Sequence, residues 1–263
     1  MLVERNPAEH YARDPSAPLH SFTGPEVGAA VLADPVVWQA AALNTLLRNA
    51  TPEHIIAAAQ EAVEPGRLAV VSSFGTESAI LLAAVAAVDP CIPVLLLDTG
   101  FLFPETLAYR DLVQQRLGLT DVRAIQPNAE EIAGEDSEGN LHHRDPNACC
   151  AVRKVRPLAG ALSRFEAWAN GRKRFQGGGR AIIPLVEADA TRLKFNPLAA
   201  LSREALGARF RALDLPPHPL ERNGFYSIGC VPCTSRTAPG EDARAGRWRG
   251  RGKTECGIHN RSS

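Results

Sequence analysis

Between residues 68 and 117 the chain twice runs from a short apolar segment through a polar loop into a longer apolar one. Leu68-Ala-Val-Val71 has the length and composition of a buried strand, and Ala79–Val88, apolar throughout, those of a buried helix. The segment between them, Ser72-Ser-Phe-Gly-Thr-Glu-Ser78, is a loop. A second strand is predicted over Pro93–Leu97, followed by the turn Asp98-Thr99-Gly100. The next helix is entered near Pro104, a good first-turn residue, and shows Leu107, Leu112, Val113 and Leu117. A third strand is predicted at 121–125. Strands that alternate with helices imply a parallel sheet with right-handed crossovers. The predicted fold class is therefore α/β, a parallel or mixed sheet with flanking helices. Ligands of such sheets bind beyond the carboxyl ends of the strands, where the loops 72–78 and 98–100 fall.

Helical patterns precede this region at 36–48 and 52–64, the second ended by Pro65-Gly66. Beyond it, residues 128–150 are acidic and turn-rich. A helix is predicted over 152–163, and short strands near 165–169, 182–187 and 192–196, the last two paired across Asp189-Ala190. A helix at 202–213 precedes a proline-rich turn, and the final stretch is loop-like. The division expected is a loosely attached extension over 1–35, an α/β domain over 36–240, and a basic segment with a tail over 241–263. The 263 residues, 45% hydrophobic and 22% charged, suffice for one such domain with a substantial core. A formal net charge of +0 provides no global field toward nucleic acid or membrane. No stretch approaches the roughly 20 apolar residues that span a bilayer, and the first residues carry no signal-peptide pattern, so a cytoplasmic protein is expected.

Three features carry chemistry. The loop Ser73–Ser78 leads into a helix N-terminus, where unpaired amides and the hydroxyls of Ser73, Thr76 and Ser78 make an anion cradle; a helix cap without a ligand is about as common. It is no Walker A loop, because no Gly-Lys-Ser/Thr follows. Cys149-Cys150 and Cys230-x-x-Cys233 form a four-cysteine set that could hold zinc or an iron–sulfur cluster, a vicinal disulfide or unrelated buried thiols being the bland reading. Adjacent cysteines suit one tetrahedral ion poorly, whereas in a 4Fe–4S cube each sulfur serves its own iron. Lys154 follows Cys150 by one helical turn, and Cys91, at the start of an apolar strand, reads as an ordinary core residue. The third feature is the tail. Arg244, Arg247, Arg249, Arg251 and Lys253 precede Cys256, among glycines at 250, 252 and 257. Nearby cations favour the thiolate, the reactive form of cysteine, and the glycines suit a mobile segment. A frayed tail beside a generic basic surface is the plainer alternative.

The first loop is similar to the PP-loop of adenine nucleotide α-hydrolase-like proteins. ATP-cleaving members carry Gly-Gly and Asp where Phe74-Gly75 and Glu77 stand here, which argues against pyrophosphatase use of ATP. Over residues 50–260 an ordered set of motifs resembles the assimilatory sulfonucleotide reductases. The set comprises Ser73-Phe74-Gly75, Leu97-Asp98-Thr99-Gly100, Cys149-Cys150 with Arg153-Lys154, Gly171-Arg172-Lys173-Arg174, Lys194-Phe195-Asn196-Pro197-Leu198, Gly229-Cys230-x-Pro-Cys233 and Glu255-Cys256-Gly257-Ile258-His259. Ile258 stands where leucine is usual. The two cysteine pairs select the adenylyl-sulfate (APS) reductase branch. The resemblance implies one 4Fe–4S cluster on Cys149, Cys150, Cys230 and Cys233. It implies substrate binding by Ser73, Phe74, Gly75, Ser78, Leu97, Asp98, Thr99, Lys154, Gly171, Arg180, Arg244, Arg247 and His259. Cys256 would attack the sulfonate sulfur, and thioredoxin or a similar dithiol would release sulfite. A homo-oligomer is expected, without nucleic-acid or membrane partners. Two rivals are a reductase of the 3′-phosphorylated substrate (or of both) and an ATP-dependent tRNA-thiolating enzyme. A zinc-stabilised RNA-binding module is the non-enzymatic alternative.

Overall fold

The computed structural model describes residues 34–259, so the extension expected over 1–35 lies almost wholly outside the described residues. Six strands form one sheet: β1 (Leu68–Val71), β2 (Val94–Leu97), β3 (Val122–Ile125), β4 (Ala167–Asn170), β5 (Val186–Asp189) and β6 (Arg192–Phe195). Their order is β3-β2-β1-β4-β6-β5, parallel except for β5, which pairs antiparallel with β6. β1, β2 and β4 are buried along their whole length; β1 and β2 are continuous apolar runs, and β4 ends in Asn170, whose buried amide donates to the Phe195 carbonyl at 3.1 Å.

Side chains alternate between two cores, as the period of a strand dictates. Leu68, Val70, Val94, Leu96, Ala167, Ala169, Leu193 and Phe195 enter the larger core. Ala40 of α1 (Pro35–Leu46) joins it from one end. There too lie Ile55, Ile56 and Ala59 of α2 (Pro52–Glu61), Ala79, Ile80, Leu81, Leu82 and Val85 of α3 (Ser78–Val88), Tyr109 and Val113 of α4 (Pro104–Leu117) and Leu206 of α9 (Arg203–Ala212). Ala69, Val71, Leu95, Leu97 and Trp168 point the other way, onto Leu158 and Leu162 of α8 (Arg156–Leu162) and onto Phe165. Ile258 of the tail packs against this second core. Cys91, expected in the core, is exposed instead: it sits in the turn before β2, where its amide donates to Asp89 Oδ1 at 2.8 Å.

The stretch 128–150 contains more helix than its composition suggests: α5 (Ala129–Glu135), α6 (Leu141–Arg144) and α7 (Pro146–Cys150). Local caps define two of them. Asn128 accepts from the amides of Glu130 and Glu131, and Asp145 from those of Asn147 and Ala148, with Pro146 in the first turn. The helix predicted over 152–163 is thus the end of a longer run. α7 continues through a π-helical turn, Ala151–Val155, into α8. β5 begins at Val186 rather than 182. The stretch after α9 is held by 3-10 turns at Glu221–Asn223 and Val231–Cys233, and by isolated bridges Leu102↔Cys230 and Thr234↔Arg247.

Candidate active site

β2 flanks β1 on one side and β4 on the other, so the strand order reverses between β1 and β4. At that switch point a cleft opens over the strand ends, about 1400 Å³ including the solvent in its mouth. The loop after β1 forms one wall. Phe74 adopts a left-handed backbone (φ 50°) with its side chain fully buried, and its amide donates to Ser72 Oγ at 3.2 Å. Behind the loop, Thr76 Oγ1 donates to Glu221 Oε2 at 2.5 Å and accepts from the His218 amide at 3.0 Å. Glu77, at the N-terminal boundary of α3, makes no capping hydrogen bond, but the first two amides of the helix, expected to be unpaired, are not: Ser78 donates to the Gly75 carbonyl at 2.8 Å and Ala79 to the Thr76 carbonyl at 3.2 Å, because the loop closes onto itself as a turn.

Ser73, Gly75, Ser78, Leu97, Lys154, Gly171, Arg180, Arg244, Arg247, Cys256 and His259 all line this cleft. Three residues of the expected set do not. Phe74 is turned into the core, its contribution confined to backbone shape. Asp98 accepts from the Gly100 amide and from Gln126. Thr99 is fully buried, with Oγ1 3.2 Å from Cys230 Sγ.

The tail folds back over the strand ends. Gly250, Gly252 and Gly257 all have positive φ (74°, 60° and 90°), which explains glycine at these positions. Arg251 donates to the His142 carbonyl at 2.6 Å, and Lys253 bonds Asn147. Glu255 takes a two-pronged contact from Arg180, with Nε to Oε1 at 2.5 Å and Nη2 to Oε2 at 2.7 Å; Arg244 Nη2 stands 3.3 Å from the same carboxylate. Burial would raise the Glu255 pKa, but the Arg180 hydrogen bonds and the charges of Arg180, Arg244 and Arg172 lower it. The His259 ring stacks parallel to Trp168 (centroids 5.7 Å apart), and its carbonyl accepts from Lys194 Nζ at 3.3 Å. Burial first, then Arg172, Lys194, Arg180 and Arg244, hold that imidazole well below its usual pKa. Arg247 lies over the Trp248 ring, 4.4 Å from its centroid, and its guanidinium fills the space a Cβ at Gly229 would need.

Sequence reasoning places Glu255 inside a motif but gives it no role. The available signal is a carboxylate beside the nucleophile in an otherwise basic tail. Lys173 is likewise left without a role. It is buried in the cleft wall and paired with Glu77 at 2.5 Å; burial lowers its pKa, partly offset by Glu77.

Beside the cleft, Cys149 and Cys150 at the end of α7 face Cys230 and Cys233 across a small cavity walled by Phe101, His142, Arg153, Lys154, Pro232 and Trp248. All four cysteines are free and buried. Among the described residues no three His, Cys, Asp or Glu side chains converge as single-ion ligands. One small cavity ringed by four thiols, with cationic side chains in its wall, fits a multi-atom group better than a lone ion. The π turn widens the helix between Cys150 and Val155, so the one-turn α-helical spacing expected for Lys154 is corrected. Lys154 lines both cavities. Burial would lower its pKa, but Cys230, Cys256 and Cys150 raise it. Trp248, also common to both, has a left-handed backbone (φ 47°), which is rare for a bulky residue.

Residues 67–236 match the phosphoadenosine phosphosulfate reductase domain. The chain belongs to that family. A relative from Mesorhizobium japonicum, named adenosine 5′-phosphosulfate reductase, is 46% identical over 86% of this chain and 89% of its own. One of the same name from Mycolicibacterium smegmatis is 39% identical over 89% and 92%. A phosphoadenosine 5′-phosphosulfate reductase of Gloeobacter violaceus is 43% identical over 79% and 88%. The crystal structure of the phosphoadenylyl-sulfate (PAPS) reductase from Candida auris has the same fold as this reductase family member, with a TM-score of 0.60 at 20% identity over 73% of this chain and 94% of that one.

Proposed function

We propose that the protein reduces adenylyl sulfate to sulfite and AMP, with thioredoxin or a similar dithiol as reductant. The observation that carries this reading is the presence of Cys256 in the wall of the same cleft as Lys154, Arg180, Arg244 and Arg247, at the sheet's switch point. The adenosine would lie along the Ser73–Ser78 loop and Gly171, with the phosphosulfate toward the cations. Cys256 attacks the sulfate sulfur; a sulfur–sulfur bond forms, the sulfur–oxygen bond to the phosphate breaks, and AMP leaves with the electron pair. Cationic neutralisation binds the anion and stabilises the charge that develops on the leaving phosphate. One thiolate of the dithiol then attacks Cys256 Sγ and expels sulfite. Its second thiol resolves the mixed disulfide, so the dithiol supplies both electrons.

Cys149, Cys150, Cys230 and Cys233 would hold a 4Fe–4S cluster. When bound, it supplies negative charge beside Lys154 and ties the α7 end to the 230–233 turn. No helix among the described residues is long and apolar enough to cross a membrane, in keeping with a cytoplasmic reductase. The Gloeobacter relative's name supports a second reading, acceptance of the 3′-phosphorylated substrate. Mass spectrometry tests the covalent step. Full chain given APS without a dithiol gains one sulfonate group on Cys256 and releases one equivalent of AMP. A sulfonate on another residue, or AMP release by Cys256→Ser, would overturn the assignment.

A further inference from the structure

We infer that Glu255 is a built-in competitor of the substrate anion: its carboxylate holds Arg180 and Arg244 before substrate arrives and must be displaced when substrate binds. The inference rests on reading the cleft as an APS site and adds a function for a residue that reading leaves idle.

The geometry is that of anion recognition. Arg180 presents its guanidinium fork to both Glu255 oxygens, the arrangement it would offer a phosphate or sulfate. Arg244 approaches the same carboxylate and also donates to the Thr254 carbonyl at 2.7 Å. Both arginines line the cleft, and so does Glu255, adjacent in sequence to Cys256. With the carboxylate in place, two cations of the site are already matched. Remove its charge and Arg180 and Arg244 lose the counter-anion they share until a ligand arrives.

Displacing Glu255 need not release the tail. Ile258 remains packed, partly buried, against the second core, while His259 remains stacked on Trp168 with its carbonyl on Lys194. The arginines exchange partners while Cys256 stays at the cleft wall. The same competition opposes tight retention of the product nucleotide, because Glu255 reclaims the guanidiniums as AMP departs. An anion and a carboxylate that share a site weaken each other reciprocally.

The test is calorimetric titration of APS into the full chain, with Cys256→Ser throughout so that the ligand is not consumed. Adding Glu255→Gln keeps the side chain's length and removes its charge. Glu255 is partly exposed (side chain 32%), which limits the strength of the pair it makes with Arg180. APS affinity is expected to rise about five- to tenfold, tenfold being about 1.4 kcal/mol. Glu255→Asp, which keeps the charge, should return the affinity toward the parent value. A carboxylate that only positions the tail or orients Arg180 would leave affinity unchanged or weaken it on substitution by glutamine, and either result overturns the inference. Failure of the parent Cys256→Ser protein to bind APS at all would instead sink the proposed function, and this inference with it.

Discussion

Asp136 and Arg153 form the most buried ion pair near the site, with 0% and 9% of their side chains exposed. Asp136 Oδ2 accepts from Arg153 Nη2 at 2.7 Å and Nε at 3.1 Å, while Oδ1 accepts from the Leu141 amide at 2.8 Å. Arg153 also donates to the Thr99 carbonyl at 2.9 Å and covers the Phe101 ring. The pair therefore joins the end of α5, the π turn before α8 and the loop after β2, the elements that frame Lys154 and the cysteines. Asp136→Asn retains an acceptor for Leu141 but leaves the Arg153 charge unmatched in the interior. Removing one partner of a buried pair costs about 3–5 kcal/mol, and the retained acceptor places this change near 3 kcal/mol. For a domain of this size that lowers Tm by about 6–12 °C. Thermal and urea unfolding followed by circular dichroism would measure it. Removing both charges, with Asp136→Asn and Arg153→Met together, should cost less than twice the single change because no charge is then stranded. A loss below about 1 kcal/mol for Asp136→Asn would refute the reasoning.

The docked His259 ring is neutral, with its pKa held well below 6.5 by burial and by Arg172, Lys194, Arg180 and Arg244. Once undocked, the ring regains an ordinary pKa and takes up a proton that the docked ring refuses. Docking is therefore complete above about pH 6.5 and weakens as pH falls, by up to about 1.4 kcal/mol per pH unit. Hydrogen exchange of residues 255–259, corrected for intrinsic rates, should show protection falling with acid. His259→Phe should abolish that dependence, and a dependence unchanged by it would exclude His259 as the cause. At Gly229, an added methyl group meets the end of the flexible Arg247 side chain rather than backbone. Gly229→Ala should leave Tm nearly unchanged while raising the KM for APS several-fold; an unchanged KM would remove Arg247 from the substrate site.

The central sheet is legible in the sequence because strands such as Leu68–Val71 and helices such as α3 express burial directly in their composition. The hairpin of β5 and β6 is legible from its turn at Asp189-Ala190. The π turn is not, because one extra residue per turn leaves no signature in so short a helical run. α5 is obscured for a different reason: it buries no residue fully and is defined by the Asn128 cap. In the cleft, residue types point to anions and thiols, yet the tail's resting position depends on partners far away in sequence. Arg180 lies 75 residues from Glu255, and Lys194 lies 65 from His259. Pairings of that range have no local pattern. Thr99 shows the reverse limit: its motif is visible, but only the fold reveals that it faces Cys230 rather than the cleft.

Sulfite release by anaerobically purified full chain with reduced thioredoxin, offered APS and its 3′-phosphorylated analogue in parallel, tests the central claim most directly. Iron content would be read on the same sample. Rapid production of sulfite and AMP in equal amounts from APS is predicted, with none from Cys256→Ser. Sulfite from neither substrate in an iron-replete sample, or an undiminished rate in Cys256→Ser, would contradict it.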